Sequence, residues 1–317
     1  MNDLSEWPRV AVMGGGAVGC YYGGMLARAG ARVTLIGRAP QVAAIQRDGL
    51  WFDGLHFQET IPMLASEDPA AAQDAQLVLM CVKTQDTAQA AMALKPWLAP
   101  DAVVLSLQNG VENAGMIAQY TANPAIAAVV YVACAMTAPG RVKHTGRGDL
   151  VIGHIAGAAD ALAPTTAQVD QVARTLVRAG IPCAISANVE GELWGKLLIN
   201  CAYNAISALG RSRYQRQVAL PETRALMQDA VREVLAVAVA EDVRMPDGDL
   251  VDIALKLADA MPQATSSTAQ DIALGKQTEI DHLNGLVVRR GVARGVPTPV
   301  NRALHALVKL LEQAPAA

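Results

Sequence analysis

"VAVMGGGAVGC" (Val10–Cys20) sets a glycine-dense turn directly after a short apolar run. Gly14, Gly16 and Gly19 fit the spacing G-x-G-x-x-G, after a predicted strand and before a predicted helix. Each glycine then has a mechanical task. The first permits the tight turn, the second lets the backbone approach a pyrophosphate, and the third lets the helix pack closely on the strand. The N–H groups that open the helix, around Ala17 and Val18, have no intrahelical partner and suit a phosphate oxygen. A chain with 26 glycines also produces such a spacing in plain turns. Position favours the dinucleotide cradle, because the motif lies within the first twenty residues and opens a βαβ unit.

Outward from this turn, short β-rich runs alternate with alanine-rich helical stretches. Strands are predicted at Val10–Met13, Arg32–Ile36, Leu77–Val82, Val103–Leu107 and Ala127–Ala133. Helices are predicted at Ala17–Ala29, Gln41–Asp48, Thr87–Lys95 and Val111–Tyr120. That alternation predicts an α/β Rossmann-type domain, a mostly parallel sheet with helices on both faces. "DGLWFDGLHFQETI" (Asp48–Ile61) reads as a hairpin insertion, and "GRVKHTGRGDLVIG" (Gly140–Gly153) as a second hairpin. From about Asn188 the strand signals stop. Helical spacing runs through Val189–Gly210, Pro221–Asp242 and Thr278–Gly295, which predicts an all-α C-terminal domain. The expected division is residues 1–187 and 188–317.

Composition narrows the classes of function. Of 317 residues, 52% are apolar and 17% charged, so two sizeable cores are feasible. The net charge of −3 and the absence of a lysine or arginine block argue against nucleic acid and against an anionic membrane surface. Five cysteines form no CxxC pair, which suits a reducing, cytoplasmic setting. The start, "MNDLSEWPRV", has no basic segment followed by an apolar one and does not read as a signal peptide. The longest apolar run, Ala125–Ala138, is too short for a membrane span. His56, His144, His154, His282 and His305 are scattered, so no metal is expected.

The second strand bears on the choice of nucleotide. An NAD site usually ends that strand with an acid that accepts from the ribose hydroxyls. Here the strand ends in Gly37-Arg38. A guanidinium pairs with the 2′-phosphate of NADP, where a carboxylate would repel it. The plainer alternative is an ordinary surface arginine. Lys83 follows "LVLMCV" and Asn109 follows "VVLSLQ", both at carboxyl ends of parallel strands, where such folds place ligands. Each also fits the first solvated residue after a strand.

"WGKLLINCAYN" carries the chemistry of the second half. Lys196, Asn200 and Asn204 are spaced i, i+4, i+8, and each step of four turns the side chain only about 40°. A solvated helix face shows the same spacing, but it usually carries better helix formers than two asparagines. A polar stripe facing a cleft is the sharper reading. In "TSSTAQDIALGKQTEIDHLNG", Ser266 and Ser267 suit caps of a short helix ending at Gly275. Thr278 and Asp281 suit a capping box of the next helix, with Glu279 in its first turn.

Taken together, "GGGAVG", "CVKTQDT", "LQNGVEN", "GELWGKLLINCAYNAISAL" and "SSTAQDIALGKQTEIDHLNGLVVRRG" resemble the ketopantoate reductase (2-dehydropantoate 2-reductase) family, in order and over nearly the whole chain. The resemblance implies an NADPH-binding Rossmann domain, a helical substrate and catalytic domain, and reduction of ketopantoate to pantoate in pantothenate biosynthesis. By position, it makes Lys196 the general acid and sets Glu279 to orient that lysine or the nascent hydroxyl. Asn200, Asn204 and Ser267 would hold the substrate. Gly14, Gly16, Ala17, Val18, Gly19, Arg38, Lys83 and Asn109 would serve the cofactor. An ordinary lysine, with a pKa of about 10.4, is charged at neutral pH and suits the negative charge that hydride addition builds on a carbonyl oxygen.

Two departures touch substrate-facing ground. Relatives place a further side-chain amide about ten residues beyond Asn204, where this chain offers Ser212, Arg213 and Tyr214. "ATSSTAQ" also lacks the flanking arginine and methionine common among relatives. The alternatives are another small branched 2-keto acid with the same mechanism, or a non-catalytic NADP-binding regulator. A monomer and a homodimer fit the sequence equally.

Overall fold

The computed structural model describes residues 7–155 and 162–313. Residues 1–6, on which most of the signal-peptide expectation rests, lie outside the described residues. The chain divides into two compact units, one up to Val189 and one from Glu190.

The first unit runs β1 (Arg9–Met13), α1 (Ala17–Arg28), β2 (Arg32–Ile36), α2 (Ala39–Asp48), β3 (Leu50–Asp53), β4 (Gln58–Ile61) and β5 (Leu64–Ser66). It continues with β6 (Leu77–Met80), α3 (Thr87–Leu94), β7 (Val103–Ser106), α4 (Asn113–Thr121), β8 (Ala125–Ala138), β9 (Arg141–Gly153), α5 (Thr166–Arg178) and β10 (Cys183–Ile185). All its strands join one sheet in the order β4-β3-β9-β8-β7-β6-β1-β2-β5, with β10 beside β9. From β5 through β8 every pairing is parallel. This is the doubly wound Rossmann order, and its direction reverses between β1 and β6, the place where such sheets open a crevice. The central strands "LVLM" and "VVLS" are wholly buried, as parallel strands covered on both faces must be.

The insertion at Asp48–Ile61 is the expected hairpin, with β3 and β4 antiparallel. Gly140–Gly153 is not one: it forms a single strand, β9, antiparallel to β8. The turn lies at its start, at Gly140 (φ 71°). Its later glycines mark irregular register instead. Gly148 (φ 143°) falls between the pairs Val132–Arg147 and Tyr131–Asp149, where the register shifts. A β-carbon there would overlap the Tyr21 hydroxyl. Glycine in a strand thus served a bulge rather than a reversal.

Among its described residues the second unit holds helices and no strand: α6 (Val189–Leu209), α7 (Tyr214–Ala219), α8 (Pro221–Ala240), α9 (Leu250–Ala260), α10 (Ser267–Ala273), α11 (Asn284–Arg294) and α12 (Pro299–Glu312). Leu197, Leu198, Ala202 and Tyr203 of α6 are buried, as are Met227, Val231 and Val234 of α8, Leu286 and Val287 of α11, and Leu304 and Val308 of α12. Among the described residues no helix is long and apolar enough to cross a membrane, and no cluster of ligating side chains suits a metal. All five cysteines are free thiols. Burial pushes Cys20 and Cys134 up to about 12 and Cys183 to about 11.

Candidate active site

The turn after β1 behaves as its glycines predict. Gly14 takes φ 116°, and a β-carbon on it would stand 2.7 Å from the Cys81 carbonyl carbon and the Val82 nitrogen. The turn therefore lies against the backbone after β6, at the reversal of strand order. A β-carbon on Gly19 would lie 2.0 Å from the Gly14 carbonyl oxygen, so no other residue allows this closeness of helix and turn. Gly16 differs from both. It is exposed, and a β-carbon there meets nothing within 4 Å. Gly16 is also the N-cap of α1 and makes no side-chain cap bond, while Ala17 and Val18 open the helix. Two glycines pressed on protein, a third facing open space and an uncapped helix start fit a pyrophosphate.

Arg38 ends the loop after β2 as the N-cap of α2, with its side chain 94% exposed. Asp86, 48 positions on, reaches within 4.0 Å of it. An exposed pair at that distance is worth about 0–1 kcal/mol and leaves the guanidinium able to take a phosphate. Lys83 and Asn109 stand in the loops after β6 and β7, both half-buried. A buried polar network that the sequence did not announce joins those loops. Thr84 Oγ1 and Asn113 Nδ2 both donate to the Asn109 carbonyl, at 2.8 and 2.7 Å. Gln108 Nε2 donates to the Val82 carbonyl at 3.0 Å and to Thr87 Oγ1 at 2.7 Å, and Thr87 Oγ1 donates to Asn113 Oδ1 at 3.0 Å. The backbone at Val82, one residue before Lys83, and the Asn109 carbonyl are thereby held in one cooperative lattice.

In the helical unit Lys196, Asn200 and Asn204 do share one unbroken helix, α6. Lys196 and Asn200 are half-buried and Asn204 is 3% exposed, so the stripe is not a solvated face. Ser266 and Ser267 divide their roles. Ser266 is buried and caps α10 by accepting from Ala269 N, while its hydroxyl donates to the Asn204 carbonyl at 3.1 Å. Ser267 stays exposed at the first position of α10. The cap thus fixes the start of α10 to α6 beside Asn204. Asn284, wholly buried, makes a second tie: its Nδ2 donates to the Cys201 carbonyl and to Asn301 Oδ1. Asn301 in turn donates to the Ala230 carbonyl and to Glu233.

The expected capping box at Thr278 and Asp281 does not form. Thr278 accepts from Ile280 N, but the segment is a short 3-10 turn (Ile280–His282), and Glu279 precedes it, half-buried. The carboxylate that reaches Thr278 is Glu312, which takes its N–H at 2.8 Å and its hydroxyl at 2.6 Å. Asp281 instead meets Lys309 Nζ at 2.8 Å and His305 Nε2 at 2.6 Å. Burial alone would raise the Asp281 carboxyl, but the hydrogen bonds from Lys309 and His305 hold it below its ordinary value. Glu312 is held down the same way by Lys309 and Thr278, against burial. These partners lie 24 to 34 positions away, beyond any local capping rule.

Ser212 and Tyr214 are both in the packing. The Tyr214 ring lies 4.4 Å from that of Tyr203, and burial pushes its hydroxyl up to about 12. Arg213 is exposed and donates to Gln263.

Residues 10–157 match the family described as ketopantoate reductase PanE/ApbA, and residues 188–312 match its C-terminal region. A protein of Halobacterium salinarum named 2-dehydropantoate 2-reductase is 35% identical over 310 residues, covering 96% of this chain and 99% of that protein. A 2-dehydropantoate 2-reductase of Vibrio cholerae is 30% identical over 96% of this chain and 98% of its own length. The crystal structure of a PanE/ApbA family ketopantoate reductase from Ralstonia eutropha superposes with a TM-score of 0.89 at 52% identity, covering 96% of this chain and 98% of that one. Fold and relatives together define an oxidoreductase of the class that acts on CH–OH groups. Within that class, the chain belongs to the ketopantoate reductase family.

Proposed function

We propose that the chain reduces 2-dehydropantoate to pantoate with NADPH, as a step of pantothenate biosynthesis in the cytoplasm. Residues 1–187 bind the nucleotide and residues 188–317 supply substrate contacts and the proton. The observation that carries this is the polar stripe of α6, Lys196-Asn200-Asn204, set in a helix otherwise packed with apolar residues and found in a chain whose full-length relatives bear that enzyme's name.

When bound, NADPH supplies the hydride that adds to the ketone carbon. Gly14, Gly16 and Gly19 with the α1 N–H groups of Ala17 and Val18 hold the pyrophosphate. Arg38 takes the 2′-phosphate, which favours NADPH over NADH. Lys83 and Asn109, fixed by the network around Thr87 and Gln108, place the nicotinamide side. The Lys196 ammonium gives its proton to the carbonyl oxygen as negative charge develops there, and solvent later restores that proton. Glu279 orients the ammonium or the new hydroxyl. Asn200, Asn204 and Ser267 bind the substrate's polar ends as neutral donors that do not compete for the catalytic proton.

A second reading keeps this mechanism on another small branched 2-keto acid. It rests on Ser212 and Tyr214, which are packed inward on ground where the family resemblance implies a substrate-facing amide. The experiment is steady-state turnover of NADPH, and separately NADH, with 2-dehydropantoate beside a panel of branched 2-keto acids. Highest kcat/KM on 2-dehydropantoate supports the first reading, and a clear preference for another acid supports the second. Tight NADPH binding without turnover on any of them would defeat both and leave a regulator.

A further inference from the structure

Glu279 lies in the irregular segment between α10 and α11, where no regular element of its own fixes its backbone. A carboxylate that must orient an ammonium cannot drift, since a misplacement of ~1 Å costs as much as about 10²-fold in rate. The residues around it are nevertheless held firmly, from outside the segment. On its N-terminal side, both donors of Thr278 bond one oxygen of Glu312. The Thr278 hydroxyl also accepts from Ile280 N, so the backbone on either side of Glu279 hangs on that contact. On its C-terminal side, Asp281 is gripped by His305 and Lys309. Lys309 closes the circuit at 2.7 Å from the second oxygen of Glu312.

His305, Lys309 and Glu312 are spaced i, i+4, i+7, so one face of α12 holds both ends of the tetrapeptide 278–281. Gly285 makes room for this, since a β-carbon there would stand 2.9 Å from the His305 ring. The Glu312 side chain is 11% exposed. Burying a carboxylate is costly, and an apolar contact would anchor a loop to a helix without that cost. What the charge adds is a fixed place for one specific peptide unit.

We propose that Glu312 is a positioning residue of the reductase: through Thr278 and the Lys309–Asp281 pair, it sets the backbone from which the Glu279 carboxylate acts. This rests on the catalytic role of Glu279 proposed above. Glu312 itself touches no reacting group in this scheme.

The test is a double-mutant cycle on the full-length enzyme, read as kcat with 2-dehydropantoate (or the panel acid it prefers), as KM for NADPH, and as NADPH affinity. Glu312→Ala is expected to lower kcat about 10- to 100-fold, with the KM and affinity for NADPH unchanged. Glu312→Gln, which keeps an acceptor for Thr278, is expected to recover most of that loss. In a Glu279→Ala background, adding Glu312→Ala is expected to change kcat no further, because its effect passes through a side chain already removed. If Glu312→Ala does not fold, Thr278→Val takes its place in the same cycle, with a smaller loss and the same non-additivity. A folded Glu312→Ala or Thr278→Val variant with wild-type kcat overturns the proposal, and so does a loss that adds in full to that of Glu279→Ala. Wild-type enzyme that reduces no 2-keto acid, or a Glu279→Ala variant with full kcat, defeats the reading of the site and this inference with it.

Discussion

At the β1–α1 turn of the α/β unit the backbone does the positioning, whereas along α6 of the helical unit side chains do. Gly14 and Gly19 matter for what they lack, and the atoms that would collide with a β-carbon there are mostly main-chain atoms. Around α6 the Asn204 and Cys201 carbonyls are reached by Ser266 and Asn284, and elsewhere in the unit Thr278 and Asp281, on either side of Glu279, are held by Glu312 and Lys309 of α12. A site built from absent side chains is intolerant of almost any replacement. One built from hydrogen-bonded networks degrades in steps, partner by partner.

Gly19→Ala should have the largest effect. A β-carbon 2.0 Å from the Gly14 carbonyl oxygen cannot be absorbed by moving a flexible side chain. The turn must open, with about 3 kcal/mol or more lost from stability and NADPH binding weakened by over about 10²-fold. Denaturant unfolding and a fluorescence titration read both; a variant that binds NADPH normally would break the comparison. Asn301→Ala comes next, because it strips partners from Asn284 and Glu233 together. About 2–4 kcal/mol should disappear from urea unfolding of the helical unit while NADPH affinity stays unchanged.

Gly16→Ala sharpens the contrast within the turn itself. Nothing of the protein stands within 4 Å of the new methyl, so stability should hold to within about 0.5 kcal/mol. NADPH affinity should still fall, by about tenfold, since the methyl enters the space assigned to the pyrophosphate. An unchanged affinity would place the nucleotide elsewhere.

The smallest and most gradual effect follows from acid. Asp281, Glu312 and Glu241 in the helical unit all have carboxyls held below their ordinary values. For Glu241, burial works upward and Arg294 and Arg290 outweigh it. Depressed carboxyls stabilise the fold above their unfolded values, about 3.9 for Asp and 4.3 for Glu, and that contribution is lost as pH falls through the folded values. In the α/β unit the depressed carboxyls of Asp48, Glu59 and Asp149 have side chains 61%, 44% and 33% exposed, against 9% for Glu241 and 11% for Glu312. Below about pH 4, amide hydrogen exchange should therefore quicken in α11 and α12 before it does in β1 and β6.

The same contrast explains what the sequence made legible. Glycine spacing showed the turn because no other residue performs its tasks, and a period of four showed the α6 stripe because helical geometry is local. That Arg38 and Asn109 follow strands β2 and β7 is legible for the same reason. The long strand β9 is hidden in the sequence because Gly146 and Gly148 look like turn residues until an antiparallel partner turns their place into an irregularity of register. Helix α5 carries a purely local signal of its own, the Thr165–Gln168 capping box. The rest was out of reach for a physical reason. The Thr84, Thr87, Gln108 and Asn113 lattice joins positions 21 to 29 apart. The Glu312 contact spans 34. Such pairs exist only once the chain has folded, so local spacing points Asp281 to the nearest cap and not to Lys309.

The most direct measurement is kcat for Lys196→Ala beside wild type, with NADPH affinity recorded for both. The account predicts a loss of about 10²–10⁴-fold in kcat with unchanged NADPH binding, since it assigns Lys196 proton donation and no contact to the nucleotide. A Lys196→Ala variant that turns over at the wild-type rate would contradict it.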